Sequence, residues 1–80
     1  MTMLAVFKSR SETLGFVSLL RANGVPASAM ATPKEAGVGC GLSARFEEIF
    51  FSRVRGVLAR KRYGSFAGFM KKSGFGYGYV

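Results

Sequence analysis

The segment between residues 9 and 24 constrains the fold more than any other part of this chain, because it carries a complete set of helix signals. Ser9 and Glu12 have the spacing of a capping box, which indicates that a helix begins there. An apolar stripe at helical spacing follows, made of Phe16, Val17 and Leu20. Gly24 comes next, and glycine readily adopts the left-handed conformation that ends helices. A helix with one apolar face must pack on another layer, which the rest of the chain has to supply.

Short segments on either side of this helix have the composition of strands. Residues 3–7 form a short apolar run that is followed by polar residues. Residues 25–31 form a weaker candidate, which Pro26 places at a sheet edge or at the start of a strand. In residues 42–46 apolar side chains alternate with polar ones, as expected of a strand with one buried side. These three segments predict a sheet on which the helix packs.

A second helix is predicted between residues 47 and 62. Glu47 and Glu48 lie at its start and a basic cluster lies at its end, an arrangement that favours the helix dipole at both termini. Its apolar stripe consists of Ile49, Phe50, Val54, Val57 and Leu58. Residues 65–70 then alternate in a way that predicts a last strand.

The order strand, helix, strand, strand, helix, strand predicts a ferredoxin-like α+β fold, βαββαβ, with two helices on one face of a four-stranded antiparallel sheet. We assign residues 1–70 to this single domain and residues 71–80 to a basic tail rich in glycine and aromatic residues. A chain this short buries only about 60–65% of its unfolded surface, so its one core must be well packed. The residues expected in that core are Phe7, Val17, Leu20, Leu42, Ala44, Val54, Leu58 and Phe66.

The composition excludes several classes of function. The 80 residues include no histidine, so the chain has no histidine-based catalytic triad. One cysteine and four scattered glutamates do not have the spacing of a zinc site. We therefore expect no metal and no cofactor, and we favour a carrier or binding protein over an enzyme. Without a membrane-length apolar run, a secretory signal or a second cysteine for a disulfide, a cytoplasmic protein with no membrane contact is expected.

The only cysteine, Cys40, lies in a glycine-rich connection between two predicted strands, residues 32–41, here called the cysteine loop. Thr32 and Glu35 have the spacing of a second capping box, with Pro33 at the first helical position. Hairpin loops usually span about two to five residues, so this connection is long for a simple turn. Extra length in a small domain is typical of a functional loop.

These residues resemble the selenium/sulfur (Se/S) carrier protein-like family. The resemblance covers about the first two-thirds of the chain, and its most specific part is the spacing from Pro33 to the Cys40-Gly41 pair. The matching residues are Phe7, Gly24, Thr32, Pro33, Lys34, Cys40, Gly41 and residues 42–46. The resemblance implies that Cys40 holds sulfur or selenium as a persulfide-type adduct and passes it between partners. Those partners are sulfur or selenium donor and acceptor proteins.

A carrier cysteine reacts as a thiolate, whereas a free thiol with a pKa near 8.5 is only a few per cent ionised at neutral pH. The expected stabilisers of the anion are Gly39, Gly41, Lys34 and Arg45, through backbone N–H groups or positive charge. The residues expected to position the loop are Thr32, Pro33 and Gly37. The alternative is that Cys40 is a small buried hydrophobic residue, a common fate of free cysteine.

The net charge of +8 indicates a hypothesis from another class, in which Cys40 is structural and the chain is a nucleic-acid (RNA) or protein-binding module. Residues 73–77 also overlap part of the RNA-recognition strand pattern. The candidate basic face consists of Arg53, Arg55, Arg60, Lys61, Arg62, Lys71 and Lys72. A solvated helix face followed by a flexible tail is the simpler interpretation of these charges. We also expect self-association or a partner, because so many glycines and aromatic residues leave sheet edges and apolar surface hard to cover.

Overall fold

The computed structural model describes residues 1–38 and 41–80, which form an α+β fold. Its helices are α1 (Arg10–Ala22) and α2 (Phe51–Ala59). Its strands are β1 (Thr2–Phe7), β2 (Ser28–Ala31), β3 (Leu42–Glu47), β4 (Phe66–Ser73) and β5 (Gly76–Tyr79). They form an antiparallel sheet in the order β2-β3-β1-β4-β5, so β2 and β5 are its edges. Two short 3-10 turns, Lys34–Ala36 and Glu48–Phe50, precede β3 and α2.

The predicted count of four strands is wrong, because the described chain adds a fifth strand beyond residue 70. β4 continues to Ser73, and a turn at Gly74 and Phe75 returns the chain as β5, which pairs with β4. Tyr77 and Tyr79 alternate with glycines in β5 and lie on the same side of the sheet. Two tyrosines over four residues give a weak strand signal, because glycine supplies no side chain to mark the pattern.

The other elements follow the sequence pattern, with shifts at their ends. Both predicted helices are confirmed. The weak second strand is shorter than residues 25–31, since it begins only at Ser28. Pro26, which has no N–H to donate to a neighbouring strand, lies before it.

Both helices pack on one side of the sheet, here called the helix face. Phe7 lies at the centre of its core: its ring centroid is 5.2 Å from that of Phe16, 5.3 Å from that of Tyr63 and 5.4 Å from that of Phe66. Of the predicted core, the buried residues are Phe7, Val17, Leu20, Ala44 and Val54. The half-buried ones are Leu42, Leu58 and Phe66.

The start of α1 confirms half of its predicted capping box. Ser9 is the N-cap, and its Oγ accepts a hydrogen bond from Glu12 N at 3.3 Å. The Glu12 carboxylate does not accept the hydrogen bond from Ser9 N that a capping box requires. It accepts from Ser65 N at 3.0 Å and from Ser65 Oγ, and these bonds lower the pKa of Glu12 below its usual value. Ser65 Oγ in turn accepts from Ser9 N at 3.0 Å, so a residue far along the chain replaces the local partner.

The opposite side of the sheet, here called the loop face, has a buried cluster of its own. Leu4 and Val6 of β1 and Met70 of β4 are fully buried, and Ala36 of the cysteine loop packs on them. Around them lie the partly buried side chains of Met30, Val38 and Tyr77. The cysteine loop therefore covers the apolar centre of the face that the helices leave open.

Candidate functional site

The base of the cysteine loop continues the pairing of β2 with β3. Thr32 N donates to Gly41 O at 2.9 Å, directly beyond the last paired residues of the two strands. The hydroxyl oxygens of Thr32 and Ser43 are 2.7 Å apart, and Ser43 is fully buried. Thr32 therefore closes the loop with both its backbone and its side chain, which fits its predicted positioning role.

Helix α1 holds the residue that follows the loop. Thr13 is fully buried, and its Oγ1 lies 3.0 Å from Leu42 O and 3.2 Å from Ser9 O. Thr13 was not among the predicted site residues. A signal was available, because Thr13 is a polar residue at helical spacing from Phe16 and Val17, and a buried polar group needs a partner.

The first part of the loop is a tight turn. Pro33 precedes the turn with φ −63°, and the chain closes through Ala36 N to Pro33 O at 3.0 Å and Gly37 N to Lys34 O at 3.1 Å. Gly37 ends the turn with φ +71°, a conformation that favours glycine.

The second predicted capping box is wrong, because no side chain caps the turn Lys34–Ala36. The hydroxyl of Thr32 contacts Ser43, and the carboxylate of Glu35 contacts β5. Each side chain thus has a partner outside the local segment, Thr32 on β3 and Glu35 on β5.

The loop is fastened to β5, the edge strand farthest from β2. Tyr79 OH donates to Ala36 O at 2.8 Å. Glu35 Oε2 accepts from Tyr77 N at 3.4 Å. Because the loop begins at β2, these two bonds join its first half to the opposite edge of the sheet.

Two glycines make room for these contacts. A Cβ on Gly68 of β4 would lie 3.0 Å from the Tyr79 ring, and Gly68 has φ +143°. Gly76 has φ +146°, and a Cβ there would collide with the Glu35 carboxylate. Gly68 also follows a β-bulge, because Val6 pairs with Gly68 while Phe7 pairs with Phe66.

The predicted thiolate stabilisers fall in different places. Cys40 and Gly39 lie outside the described residues. Gly41 is exposed at the base of the loop, and Lys34 is exposed on the turn. Arg45 is exposed on β3, where its Nη2 lies 3.5 Å from Glu47 Oε2. Arg45 thus has a carboxylate partner, although an ion pair as exposed as Arg45–Glu47 contributes little to stability.

The seven predicted basic residues lie on α2, on the segment that follows it and on β4. Lys71 pairs with Glu48 at 2.8 Å, which lowers the pKa of that carboxyl below its usual value. The guanidinium of Arg55 lies 5.6 Å from the centroid of the Phe51 ring, and the ammonium of Lys61 lies 5.5 Å from that of Tyr63. Lys72 is paired with Tyr77 across β4 and β5, and Arg62 is exposed after α2.

Arg53 and Arg60 instead lie beside the residues that end α1, whose last turn carries Arg21. Arg60 Nη1 donates to Asn23 Oδ1 at 3.2 Å, and Arg53 Nη1 lies 3.8 Å from the place of a Cβ on Gly24. Arg21 Nε donates to Ala27 O at 2.7 Å. These three residues are here called the arginine cluster. Arg21 was not predicted, because the candidate basic face was drawn only from the basic residues after position 49.

Among the described residues no three side chains of the metal-binding types lie close enough to hold an ion. In the same part of the chain, no helix has the length and hydropathy needed to cross a membrane.

The chain was compared with protein families, curated proteins and solved structures. The family model described as "Putative Se/S carrier protein-like" matches residues 2–65. No curated protein and no solved structure matches the chain. The matched residues run from β1 to just before β4 and include the whole cysteine loop, whereas β4 and β5 lie beyond them.

Proposed function

Because this chain belongs to the Se/S carrier protein-like family, we propose that it carries sulfur or selenium on Cys40 between a donor and an acceptor protein. The observation that carries the proposal is the family match, which spans the cysteine loop. Cys40 is also the only thiol in the chain, so thiol chemistry has a single possible site. The anchored base and turn of the loop provide a fixed frame for it.

The proposed transfer is a pair of displacements at sulfur. The Cys40 thiolate attacks the outer sulfur of a donor persulfide, R–S–SH. The new bond forms between Cys40 and that sulfur, the donor S–S bond breaks, and its electron pair leaves on the donor as R–S⁻. An acceptor thiolate then attacks the outer sulfur of the Cys40 persulfide, and Cys40 leaves as a thiolate. An outer selenium atom is transferred in the same way, and neither step needs an external oxidant or reductant.

The absence of histidine fits this chemistry. Both leaving groups depart as thiolates, so no resident acid has to protonate them. The requirement is a stabilised thiolate on Cys40, and lowering its pKa by one unit takes about 1.4 kcal/mol of preferential stabilisation of the anion. Lys34, Arg45 and the backbone N–H groups at Gly39 and Gly41 are the proposed sources, with Thr32, Pro33 and Gly37 positioning the loop.

The proposal predicts a reactive thiol that takes up sulfur. The rate of Cys40 alkylation by iodoacetamide, measured against pH, should give a thiol pKa below the free value of about 8.5. After incubation with polysulfide, mass spectrometry of the intact protein should show added sulfur, which a thiol reductant removes.

The matched control is Cys40→Ser, which keeps the size of the side chain and removes the only thiol. It should show neither alkylation nor added sulfur. A wild-type thiol pKa at or above about 8.5, together with no sulfur adduct on Cys40, would contradict the carrier function.

We also propose a second candidate function, binding of nucleic-acid phosphates by the arginine cluster. Arg21 and Arg60 each donate to a neutral oxygen, which holds the side chain without cancelling its charge. Guanidinium groups match phosphate geometry, and donors that are already held lose less entropy on binding.

The surrounding charges leave the arginine cluster uncompensated. The four glutamates of the chain are engaged elsewhere: Glu12 with Ser65, Glu35 with Tyr77, Glu47 with Arg45 and the N-terminus, and Glu48 with Lys71. The C-terminus of α1 contributes only about half a negative charge against three positive ones. This excess positive charge favours the binding of a polyanion.

Salt dependence tests this second function. If the arginine cluster binds phosphates, replacing Arg21, Arg53 and Arg60 with alanine should weaken binding to a short DNA duplex. The salt slope should also fall by about 0.9 for each phosphate that is no longer neutralised. Arg10→Ala, at the other end of α1, is the control and should change little. Equal effects of the control and the triple variant would leave the cluster without this role.

A further inference from the structure

We infer that β5 positions the cysteine loop, with Tyr79 and Glu35 as the positioning residues that set the reactivity of Cys40. The family match ends at residue 65, so the strand that fastens the loop lies in a part of the chain to which the match assigns nothing. The inference rests on the proposed function of Cys40 and adds a means of controlling it.

Tyr79 is held in place from below and at its tip. Its ring lies over Gly68, where a Cβ would be only 3.0 Å from the ring. Its hydroxyl donates to Ala36 O at 2.8 Å. Ala36 is itself buried against Leu4, Val6 and Met70. The hydroxyl therefore ties the loop backbone to the sheet at the point where the loop enters the apolar cluster.

Glu35 makes the second link. Tyr77 N belongs to an edge strand, and the Glu35 carboxylate accepts from it at 3.4 Å. An edge strand presents unpaired N–H groups that can pair with other chains, and a charged side chain placed there blocks such pairing. The same contact thus fixes the loop and covers part of the exposed edge.

The two links act on a short span of chain. Residues 35 and 36 are fixed by β5, and Gly41 is fixed by Thr32 N. Cys40 is covalently bound to Gly41 and lies four residues after Ala36. A thiolate stabilised by fixed backbone N–H groups and nearby cations depends on that frame, so loosening the loop should return the thiol towards its free behaviour.

The test compares Tyr79→Phe with Tyr77→Phe. The first variant removes the hydroxyl that binds Ala36 O. The second removes a hydroxyl from the same strand and the same side of the sheet, and that hydroxyl has no hydrogen-bond partner among the described residues. Amide hydrogen exchange at residues 36–38 and the pH profile of Cys40 alkylation are measured for both variants and for the wild type.

In Tyr79→Phe we expect exchange at residues 36–38 to rise by about three- to tenfold, the factor for losing one net hydrogen bond. The alkylation midpoint should also move to higher pH, with a slower reaction at pH 7. Tyr77→Phe should match the wild type in both measurements.

Unchanged exchange in Tyr79→Phe would overturn the positioning role of β5. Faster exchange with an unchanged alkylation midpoint would overturn the claim that this positioning sets thiol reactivity. The hydrogen-exchange measurement does not depend on Cys40. The carrier function is tested separately, by the thiol pKa and the sulfur adduct of the wild type, so failure of one proposal can be told from failure of the other.

Discussion

Replacing Phe7 with alanine lowers the free energy of unfolding by about 3–5 kcal/mol, the range observed for large aromatic residues removed from cores. Phe7 is completely buried at the end of β1. Its ring contacts those of Phe16 on α1, Tyr63 after α2 and Phe66 on β4, all with centroids within 5.4 Å. One truncation therefore opens a cavity where a strand, a helix and a connecting segment meet.

This loss is a large fraction of the expected free energy of unfolding of the domain. An 80-residue domain has a stability of roughly 4–12 kcal/mol, so Phe7→Ala removes about a quarter of it or more. The matched control is Phe75→Ala, the same chemical change at a fully exposed turn residue, where about 0.5 kcal/mol or less is expected. Urea unfolding should show a lower midpoint for Phe7→Ala at an unchanged m-value. Similar midpoints for the two variants would refute the central position of Phe7.

The sequence predicts what depends on local periodicity. Val17 and Leu20 were placed in the core from their helical spacing, and Ala44 from the alternation of residues 42–46; all three are buried. Ser9 was identified as an N-cap because its partner, Glu12 N, is three residues away. In each case the interaction that decides the structure lies within one turn or one strand.

The errors have the opposite origin, since distant partners displaced local ones. Glu12 binds Ser65 and Glu35 binds Tyr77, although both were expected to cap their own helical turns. The partner of Glu12 lies 53 residues along the chain and that of Glu35 lies 42 residues along it. Sequence spacing alone contains no information on which strand lies nearby.

The candidate site shows the same division. Thr32 and Gly37 were predicted to position the loop, and their backbone geometry fits that role. Tyr79 was not predicted, because its contact with Ala36 depends on β5, a strand that the sequence pattern did not predict. Arg21 was missed because the candidate basic face was drawn only from residues after position 49, and only the fold brings Arg53 and Arg60 to the end of α1. The proposed role of Cys40 comes from the family match and the resemblance.

The two faces of the sheet are covered in different ways. On the helix face, the aromatic cluster around Phe7 packs α1 and the segment after α2 against β1 and β4. On the loop face, the cover is a connection rather than a helix, and two hydrogen bonds from β5 fasten it. A cover held by a few bonds can be loosened without unfolding the rest, so changes on this face should alter reactivity before they alter the fold.

Replacing Gly68 with alanine tests this division directly. The φ of +143° at Gly68 strains any other residue, and the new Cβ would lie 3.0 Å from the Tyr79 ring. We expect a loss of about 1–3 kcal/mol of stability, the usual cost of a residue in such a backbone conformation. For a domain of this size, that corresponds to a fall in Tm of roughly 4–8 °C for each kcal/mol.

Gly78→Ala is the matched control, because a Cβ on that β5 glycine meets nothing within 4 Å and its φ is not in the positive range. It should leave Tm nearly unchanged or slightly raised. Displacement of the Tyr79 ring in Gly68→Ala should also break its bond to Ala36 O, so Cys40 alkylation should follow the Tyr79→Phe profile at temperatures well below Tm. If Gly68→Ala lowers Tm and keeps the wild-type alkylation profile, then the ring is only a packing element, and the cysteine loop holds its place without β5.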